Sequence, residues 1–166
     1  MKNRILAIAV SCLVAGVAIT QAQAQGSGEA KAKKAPKASP TPVMLPAADL
    51  KWADLAGAPG VKIVDLWGNH EKGAYGAFIK FPAGFAAPLH THTHEMHIAV
   101  VSGTFLQAPD GKPEVRLPAG SYLKQPGDGY RHTTGCDKAS ECVVFAESGG
   151  RFDLKWATEA KTPEKK

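Results

Sequence analysis

Four of the chain's six histidines lie within eight consecutive positions, which makes this stretch the part of the sequence best suited to chemistry. The stretch reads "HTHTHEMH" and begins at His90. Imidazole is the commonest protein ligand for zinc, copper, nickel and iron, and its charge changes near neutral pH. The cluster by itself is consistent with three interpretations, namely a metal site, a pH-sensitive patch and a polar loop that faces water.

A second segment, "PGDGYRHTTGC", contributes His132 from a distant part of the chain. Successive side chains of a strand point to opposite faces, so His90 and His92 can share one face. His97 opens the next apolar run and would return over the same end of the sheet. Three converging imidazoles with an open coordination position make a reactive or ligand-binding site.

Short strands separated by turns must position these histidines. Several runs after Val61 alternate apolar and polar residues, and Gly, Pro or Asp-Gly residues separate them. Pro109-Asp110-Gly111 predicts a hairpin. The runs are "VKIVDLWG", "YGAFIKF", "HIAVVSGTFLQ", "EVRLPAGSYLKQ", "ECVVFAES" and "RFDLKW". The pattern predicts an all-β sandwich or barrel, preceded by a short helical or irregular segment near "AADLKWADLAG".

Two motifs in this chain resemble those of the cupin superfamily. The first is a glycine, five residues, H-x-H and a later glycine, and it corresponds to residues 84–103. The second is a glycine, five residues, a proline, a histidine and an asparagine. It corresponds to residues 120–136, where one extra residue precedes the histidine and Cys136 replaces the asparagine. Further segments are similar to secreted single-domain cupins of unassigned activity. The resemblance implies a jelly-roll barrel over about residues 61–156, with one divalent metal in its mouth.

The resemblance also implies which residues hold the metal. His90 and His92 match the first two cupin ligands and His132 matches the last. The third ligand is normally Glu, but here the two motifs point to His97 or Met96, and Glu95 is adjacent. We expect His97 to fill this position, which gives the set His90, His92, His97 and His132. Such a site suits Zn, Fe, Mn, Ni or Cu better than Mg or Ca, and it favours anionic or chelating ligands.

Other polar residues near the cluster are candidates for supporting roles. His94, Glu95 and Tyr122 are expected around the metal ligands, and Glu95 or Tyr122 is a conceivable proton carrier. His70, in a turn, is expected at the surface. By strand position, the polar residues that could line the barrel are Lys80, Gln107, Tyr122 and Lys124.

The ends of the chain predict export. Residues 1–24 have the basic start, apolar run and small-x-small site of a cleaved signal peptide, after which no stable membrane insertion is expected. Residues 25–46 predict a disordered Lys/Ala/Pro-rich tether, residues 47–157 the cupin domain and residues 158–166 a disordered tail. The domain carries 11 Lys plus Arg and 12 Asp plus Glu, a net charge of −1, which argues against a nucleic-acid partner. The expected location is the periplasm or the outside of the cell.

Cleavage would leave two cysteines, Cys136 and Cys142, in an oxidising compartment. An even count there predicts a disulfide. The alternative is a Cys136 thiolate near the metal, four residues after His132.

Three functions fit these observations. The first is a metal-dependent enzyme, an oxygenase or an isomerase acting on a small organic molecule. The second is a binding or sensor module that binds a small ligand through its metal ion. The third is a structural metal, or none, because fold alone does not determine function. A homodimer is an expectation by analogy with other cupins.

Overall fold

The computed structural model of the protein describes residues 41–157. The predicted signal peptide at 1–24, the first part of the tether at 25–40 and the tail at 158–166 lie outside the described residues, so these boundaries stay predictions. Residues 41–46 are exposed and have no regular structure. Within the described range, no helix has the length and apolar character needed to cross a membrane.

The described chain is almost entirely β-structure. A single 3₁₀ turn at Ala47–Asp49 precedes eleven strands, which matches the short helical segment expected there. The strands are β1 (Ala53–Asp54), β2 (Lys62–Gly68), β3 (Tyr75–Phe81), β4 (Ala86–Thr91), β5 (Met96–Ser102), β6 (Thr104–Pro109), β7 (Val115–Pro118), β8 (Tyr122–Gln125), β9 (His132–Cys136), β10 (Cys142–Ser148) and β11 (Lys155–Trp156).

These strands form two antiparallel sheets. The six-stranded sheet has the order β1-β2-β3-β10-β5-β8, and the five-stranded sheet has the order β11-β4-β9-β6-β7. The all-β jelly-roll prediction is therefore confirmed. The sheets are not closed into a barrel, because no strand pairing in the described residues joins the edges of one sheet to those of the other.

Alternating side chains create the core between the two sheets. In β3, Tyr75, Ala77, Ile79 and Phe81 are buried, whereas Lys80 faces outward. The paired strand β10 buries alternate residues in the same way. Each large apolar side chain buried in this way stabilises the fold by about 1.5–3 kcal/mol.

A glycine divides one predicted strand into two. The run "HIAVVSGTFLQ" becomes β5 in the larger sheet and β6 in the smaller one, and Gly103 between them has a φ of 76°. A Cβ at this position would collide with the carbonyl oxygen of Glu141. Glycine lets the chain change sheets here because it tolerates positive φ and close approach of the backbone.

A disulfide joins the two sheets at one end. Cys136 ends β9 in the smaller sheet and Cys142 begins β10 in the larger one, with an S–S distance of 2.05 Å. The expected disulfide is present, so Cys136 is not the free thiolate considered as its alternative. On the chain-entropy model, closing a loop this short contributes about 2 kcal/mol to stability.

Candidate metal centre

Three histidine side chains meet inside the sandwich. His90 lies in β4, His92 directly follows that strand, and His132 begins β9. All three are buried, and their potential ligand atoms lie within 4.8 Å of one another. The ring centroids of His90 and His132 are 4.3 Å apart, and those of His92 and His132 are 5.3 Å apart.

A β-bulge turns His90 toward the interior. Ala87 pairs with Thr134 and His90 pairs with His132, so two residues of β4 lie opposite one residue of β9. In a regular strand, Ala87 and His90 would point to opposite faces, because they are three positions apart and side chains alternate. With the bulge both are buried, and His90 faces His132.

Each imidazole is held by a hydrogen bond from Nδ1 to a backbone carbonyl. His90 Nδ1–H donates to Pro88 O at 2.7 Å, and His132 Nδ1–H donates to Tyr130 O at 3.1 Å. His92 Nδ1–H donates to the carbonyl of Asp153. Because a carbonyl can only accept, these contacts place the proton on Nδ1 and leave the lone pair of Nε2 available.

Burial keeps these rings neutral. Desolvation lowers the pKa of His92 to about 4 and that of His132 to about 4. The pKa of His90 is lowered for the same reason. Neutral imidazole is the form that binds a metal, so the site is ready to coordinate at neutral pH.

The donor set fits a divalent transition metal. His132 Nε2 is buried and has no hydrogen-bond partner among the described residues, although a buried nitrogen normally has one. Three nitrogen donors, each oriented by a backbone carbonyl, resemble reactive metal sites that keep an open position. His90, His92 and His132 would hold the ion.

An apolar cavity adjoins the histidines. It has a volume of about 50 Å³, and His90 and His92 line it together with aliphatic and aromatic side chains from both sheets. No Asp, Glu, Lys or Arg is among the described residues that line it. The walls of the cavity therefore suit the uncharged, apolar part of a ligand.

The structure does not bring His97 to the other three histidines. His97 lies in β5 between Met96 and Ile98, whose side chains point inward, so its own side chain points out of the sheet. It is 42% exposed and contacts Glu95 at 3.1 Å. Of the three candidates for the third ligand position, only Met96 lines the cavity.

Glu95 and Tyr122 also lie away from the three histidines. The Tyr122 hydroxyl is 2.6 Å from His97 Nδ1, and Tyr122 is 61% exposed. Glu95 forms an ion pair with Lys124 at 3.0 Å, and the hydrogen bond from Lys124 is the main reason that the pKa of Glu95 is lowered. Neither residue is placed to move a proton inside the cavity.

The remaining two histidines have other surroundings. His94 is exposed, and its ring lies so close to Gly150 that a Cβ there would overlap it. The surface position expected for His70 is not what the structure shows. Its side chain is 14% exposed, and Nδ1 lies 3.0 Å from both carboxylate oxygens of Asp65.

Sequence reasoning missed the C-terminal segment that packs over the site. Trp156 in β11 pairs with His90, and its ring lies 5.8 Å from that of His90. The Asp153 carbonyl binds His92, while the Asp153 carboxylate accepts hydrogen bonds from the Thr93 backbone N–H at 2.8 Å and from the Thr93 hydroxyl. The alternating run "RFDLKW" predicted a strand but carried no signal for this role.

The contacts of Asp153 lead to the first prediction. The Asp153→Ala variant should bind zinc about tenfold more weakly, because groups that orient metal ligands typically contribute 10–100-fold to affinity. The backbone carbonyl stays, but the carboxylate no longer ties Thr93, and hence His92, to the C-terminal segment. A competition titration with a zinc-binding dye measures the change.

Asp54→Ala is the matched control for this prediction. Asp54 forms an exposed ion pair with Lys62 at 2.6 Å, and an exposed pair of this kind contributes little to stability. Its zinc affinity should equal that of the unchanged protein. Equal affinities in all three proteins would show that the Asp153 carboxylate does not position His92.

Comparison with known proteins supports the same architecture. A family model described as "ChrR Cupin-like domain" matches residues 41–150. No protein among those with curated descriptions matches the chain. The polyketide cyclase RemF from Streptomyces resistomycificus is 16% identical, with a TM-score of 0.59 over 74% of this chain and 90% of RemF.

Two further solved structures are similar in fold. KdgF from Halomonas sp. is 22% identical, with a TM-score of 0.52 over 66% of this chain and 96% of KdgF. An RmlC-like cupin from Shewanella frigidimarina is 25% identical, with a TM-score of 0.52 over 67% of this chain and 94% of that protein. At these identities the likeness to RemF and KdgF concerns the fold alone.

Proposed function

The chain belongs to the ChrR cupin-like family, and from this premise we propose that it binds one divalent transition metal and carries out oxygenase-type chemistry on a small organic molecule. His90, His92 and His132 are the proposed ligands. The observation that carries the proposal is the convergence of three buried imidazoles, whose potential ligand atoms lie within 4.8 Å of one another beside an apolar cavity.

The lining of the cavity favours an oxygenase over an isomerase. An isomerase moves protons and needs a general acid or base within reach of its substrate. No carboxylate, lysine or tyrosine lines the cavity among the described residues, and Glu95 and Tyr122 face outward. A bound iron or copper ion would supply the redox chemistry for a reaction with O₂, while the apolar walls exclude water.

The same lining supports a second candidate, a non-catalytic binding or sensor module. A protein that only holds a ligand needs the metal, the apolar walls and one or two polar contacts, and it needs no group that transfers protons. The two candidates differ in whether the metal-loaded protein consumes O₂ in the presence of its ligand.

We also propose that the protein is exported to the periplasm or secreted. The disulfide between Cys136 and Cys142 supports this, because disulfides persist in oxidising compartments and are rare in the cytosol. A homodimer and the expected lack of a nucleic-acid partner stay predictions.

The proposed function is tested by metal analysis of protein purified from its native compartment. The unchanged protein should carry close to one equivalent of a single transition metal, and the His90→Ala/His92→Ala double variant should carry almost none. Equal metal content in the two proteins would refute both the oxygenase and the binding module.

A second measurement separates the two candidates. The naturally loaded protein is mixed with small-molecule extract from the same cells, and O₂ uptake is followed with an electrode. Uptake that needs the unchanged protein and is absent with the double variant supports the oxygenase. Metal content without any uptake argues for the binding module.

A further inference from the structure

We propose that Gln125 orients the substrate, by donating a hydrogen bond from its amide to the carbonyl oxygen of an uncharged, mostly apolar molecule. Gln125 ends β8, is 2% exposed and lines the same cavity as His90 and His92. Its Nε2 has no hydrogen-bond partner among residues 41–157. The inference rests on the proposed function in one respect, namely that the molecule held by Gln125 is the one presented to the metal.

A chain of hydrogen bonds fixes the direction in which the Gln125 amide points. The Thr134 hydroxyl donates to Gln107 Oε1 at 3.2 Å, which turns the Gln107 amide group toward Gln125. Gln107 Nε2 then donates to Gln125 Oε1 at 3.1 Å. The oxygen of Gln125 is therefore occupied, and only its NH₂ group remains to meet a ligand.

This chain crosses from one sheet to the other inside the core. Gln107 and Thr134 are paired residues of β6 and β9 in the smaller sheet, whereas Gln125 belongs to the larger one. All three side chains lie on inner faces, and Gln107 is 3% exposed. Because Gln107 is itself held by Thr134, it presents a fixed donor to Gln125 Oε1, so the Gln125 amide is preorganised and a ligand gains its hydrogen bond with little ordering cost.

The cavity defines the class of molecule that Gln125 would meet. A buried donor without a partner costs about 1–3 kcal/mol, so the site favours a ligand that supplies an acceptor. The walls carry no charged side chain, so a carboxylate or a phosphate would find a counter-charge only at the metal, and the part of the molecule that fills the cavity is uncharged. A volume of about 50 Å³ accommodates a compact group of a few non-hydrogen atoms. A neutral carbonyl compound, such as a small ketone, meets all three conditions.

The test uses two probes that differ only at the proposed acceptor. 2-Butanone has a carbonyl oxygen where 2-methyl-1-butene has a CH₂ group of similar shape. Dissociation constants for both are measured by ligand-observed NMR with zinc-loaded unchanged protein, Gln125→Met and Lys124→Met. Lys124 is the matched control, because it is the adjacent residue of β8 and forms an exposed ion pair with Glu95.

We expect Gln125→Met to lower the affinity for 2-butanone relative to 2-methyl-1-butene by about tenfold, since methionine keeps the volume but donates no hydrogen bond. Lys124→Met should leave the ratio of the two affinities, 2-butanone to 2-methyl-1-butene, unchanged. An unchanged ratio in Gln125→Met would overturn the inference, and so would a lack of binding of both probes to the unchanged protein.

A second variant keeps the test decisive if Gln125→Met does not fold. Gln107→Met leaves Gln125 in place but removes the donor that orients its amide, so the ratio should fall by a few fold. An unchanged ratio here would count against the orienting chain. Zinc content is measured in every sample. Loss of zinc from the unchanged protein would refute the proposed function, whereas zinc with an unchanged probe ratio would refute only the role of Gln125.

Discussion

The His132→Ala variant should bind zinc at least about a hundredfold more weakly than the unchanged protein. His132 supplies one of three nitrogen donors, and its Nε2 is buried without a hydrogen-bond partner among the described residues. Removal of a group that merely orients a ligand weakens metal binding 10–100-fold, so removal of a ligand itself should cost more. Competition titration against a chelating dye at pH 7.5 measures the difference.

The matched control for this variant is His97→Ala. It removes an imidazole from the same histidine-rich region, but that imidazole lies on the outer face of the larger sheet beside Tyr122. Its zinc affinity should be unchanged. If His97→Ala weakened zinc binding as much as His132→Ala, the three-histidine site would be the wrong one.

A folding check accompanies the comparison, because His132 is completely buried. Circular dichroism should show the same β-structure in both variants and in the unchanged protein.

His92→Ala, which truncates a ligand beside the C-terminal segment, should also lose zinc. Retention of tight zinc binding in His92→Ala would contradict the proposed set of ligands.

The metal-free protein should lose several kcal/mol of stability between about pH 6.5 and pH 4. His92 and His132 each have a pKa of about 4 in the folded protein because burial disfavours the charged ring. An unfolded histidine has a pKa of about 6.5. A difference of this size corresponds to about 3 kcal/mol for one such group.

The sign of this effect follows from proton binding. Below pH 6.5 the unfolded chain takes up protons at these histidines, while the folded protein does so only near pH 4. Protons therefore favour unfolding as the pH falls, and stability is complete above the pKa of the unfolded histidine. The midpoint of thermal unfolding should fall by about 10 °C or more between pH 7 and pH 4.5.

A variant without the two titrating rings is the control. The His92→Gln/His132→Gln protein, also free of metal, should have a midpoint that changes much less over this range. The carboxylates with lowered pKa values, Glu95, Asp137 and Asp153, are present in both proteins, so they contribute equally to the two slopes. Equal slopes for the two proteins would show that the buried histidines do not control stability in acid.

The sequence alone predicted most of the fold. Alternation in the runs that became β2, β3 and β10 indicates strands with one buried face, and that pattern is local. β4, which carries His90, and β9, which begins at His132, were not among these runs. β4 contains Pro88 and two polar residues, and β9 contains His132, two threonines and a glycine, so neither has an apolar stripe.

The candidate site was predicted in part. Residue types and spacing pointed to His90, His92 and His132, because H-x-H and a distant histidine are what a three-imidazole site requires. They could not distinguish Met96 from His97, since adjacent strand residues point to opposite faces and a shift of one position exchanges them. The pairing of β5 with β10 and β8 places Met96 inside and His97 outside.

Of the four polar residues proposed to line the barrel, only Gln107 has its side chain in the core. Lys80 lies over the Trp52 ring, and Lys124 pairs with Glu95 on the outside. Gln125, which does line the cavity, was overlooked. It directly precedes Pro126 at the end of a short strand, where four residues are too few to reveal which face is buried.

By itself, then, the sequence determined the chemical character of this protein, namely alternating strands, histidines with metal-ligand spacing and two cysteines able to pair. Only the tertiary structure decided which of these groups meet. The bulge in β4 turns His90 inward, the carbonyl of Asp153 reaches His92, and Gln107 orients Gln125 across the core. Each of these contacts depends on strand register or on the packing of segments far apart in the chain, which local pattern does not specify.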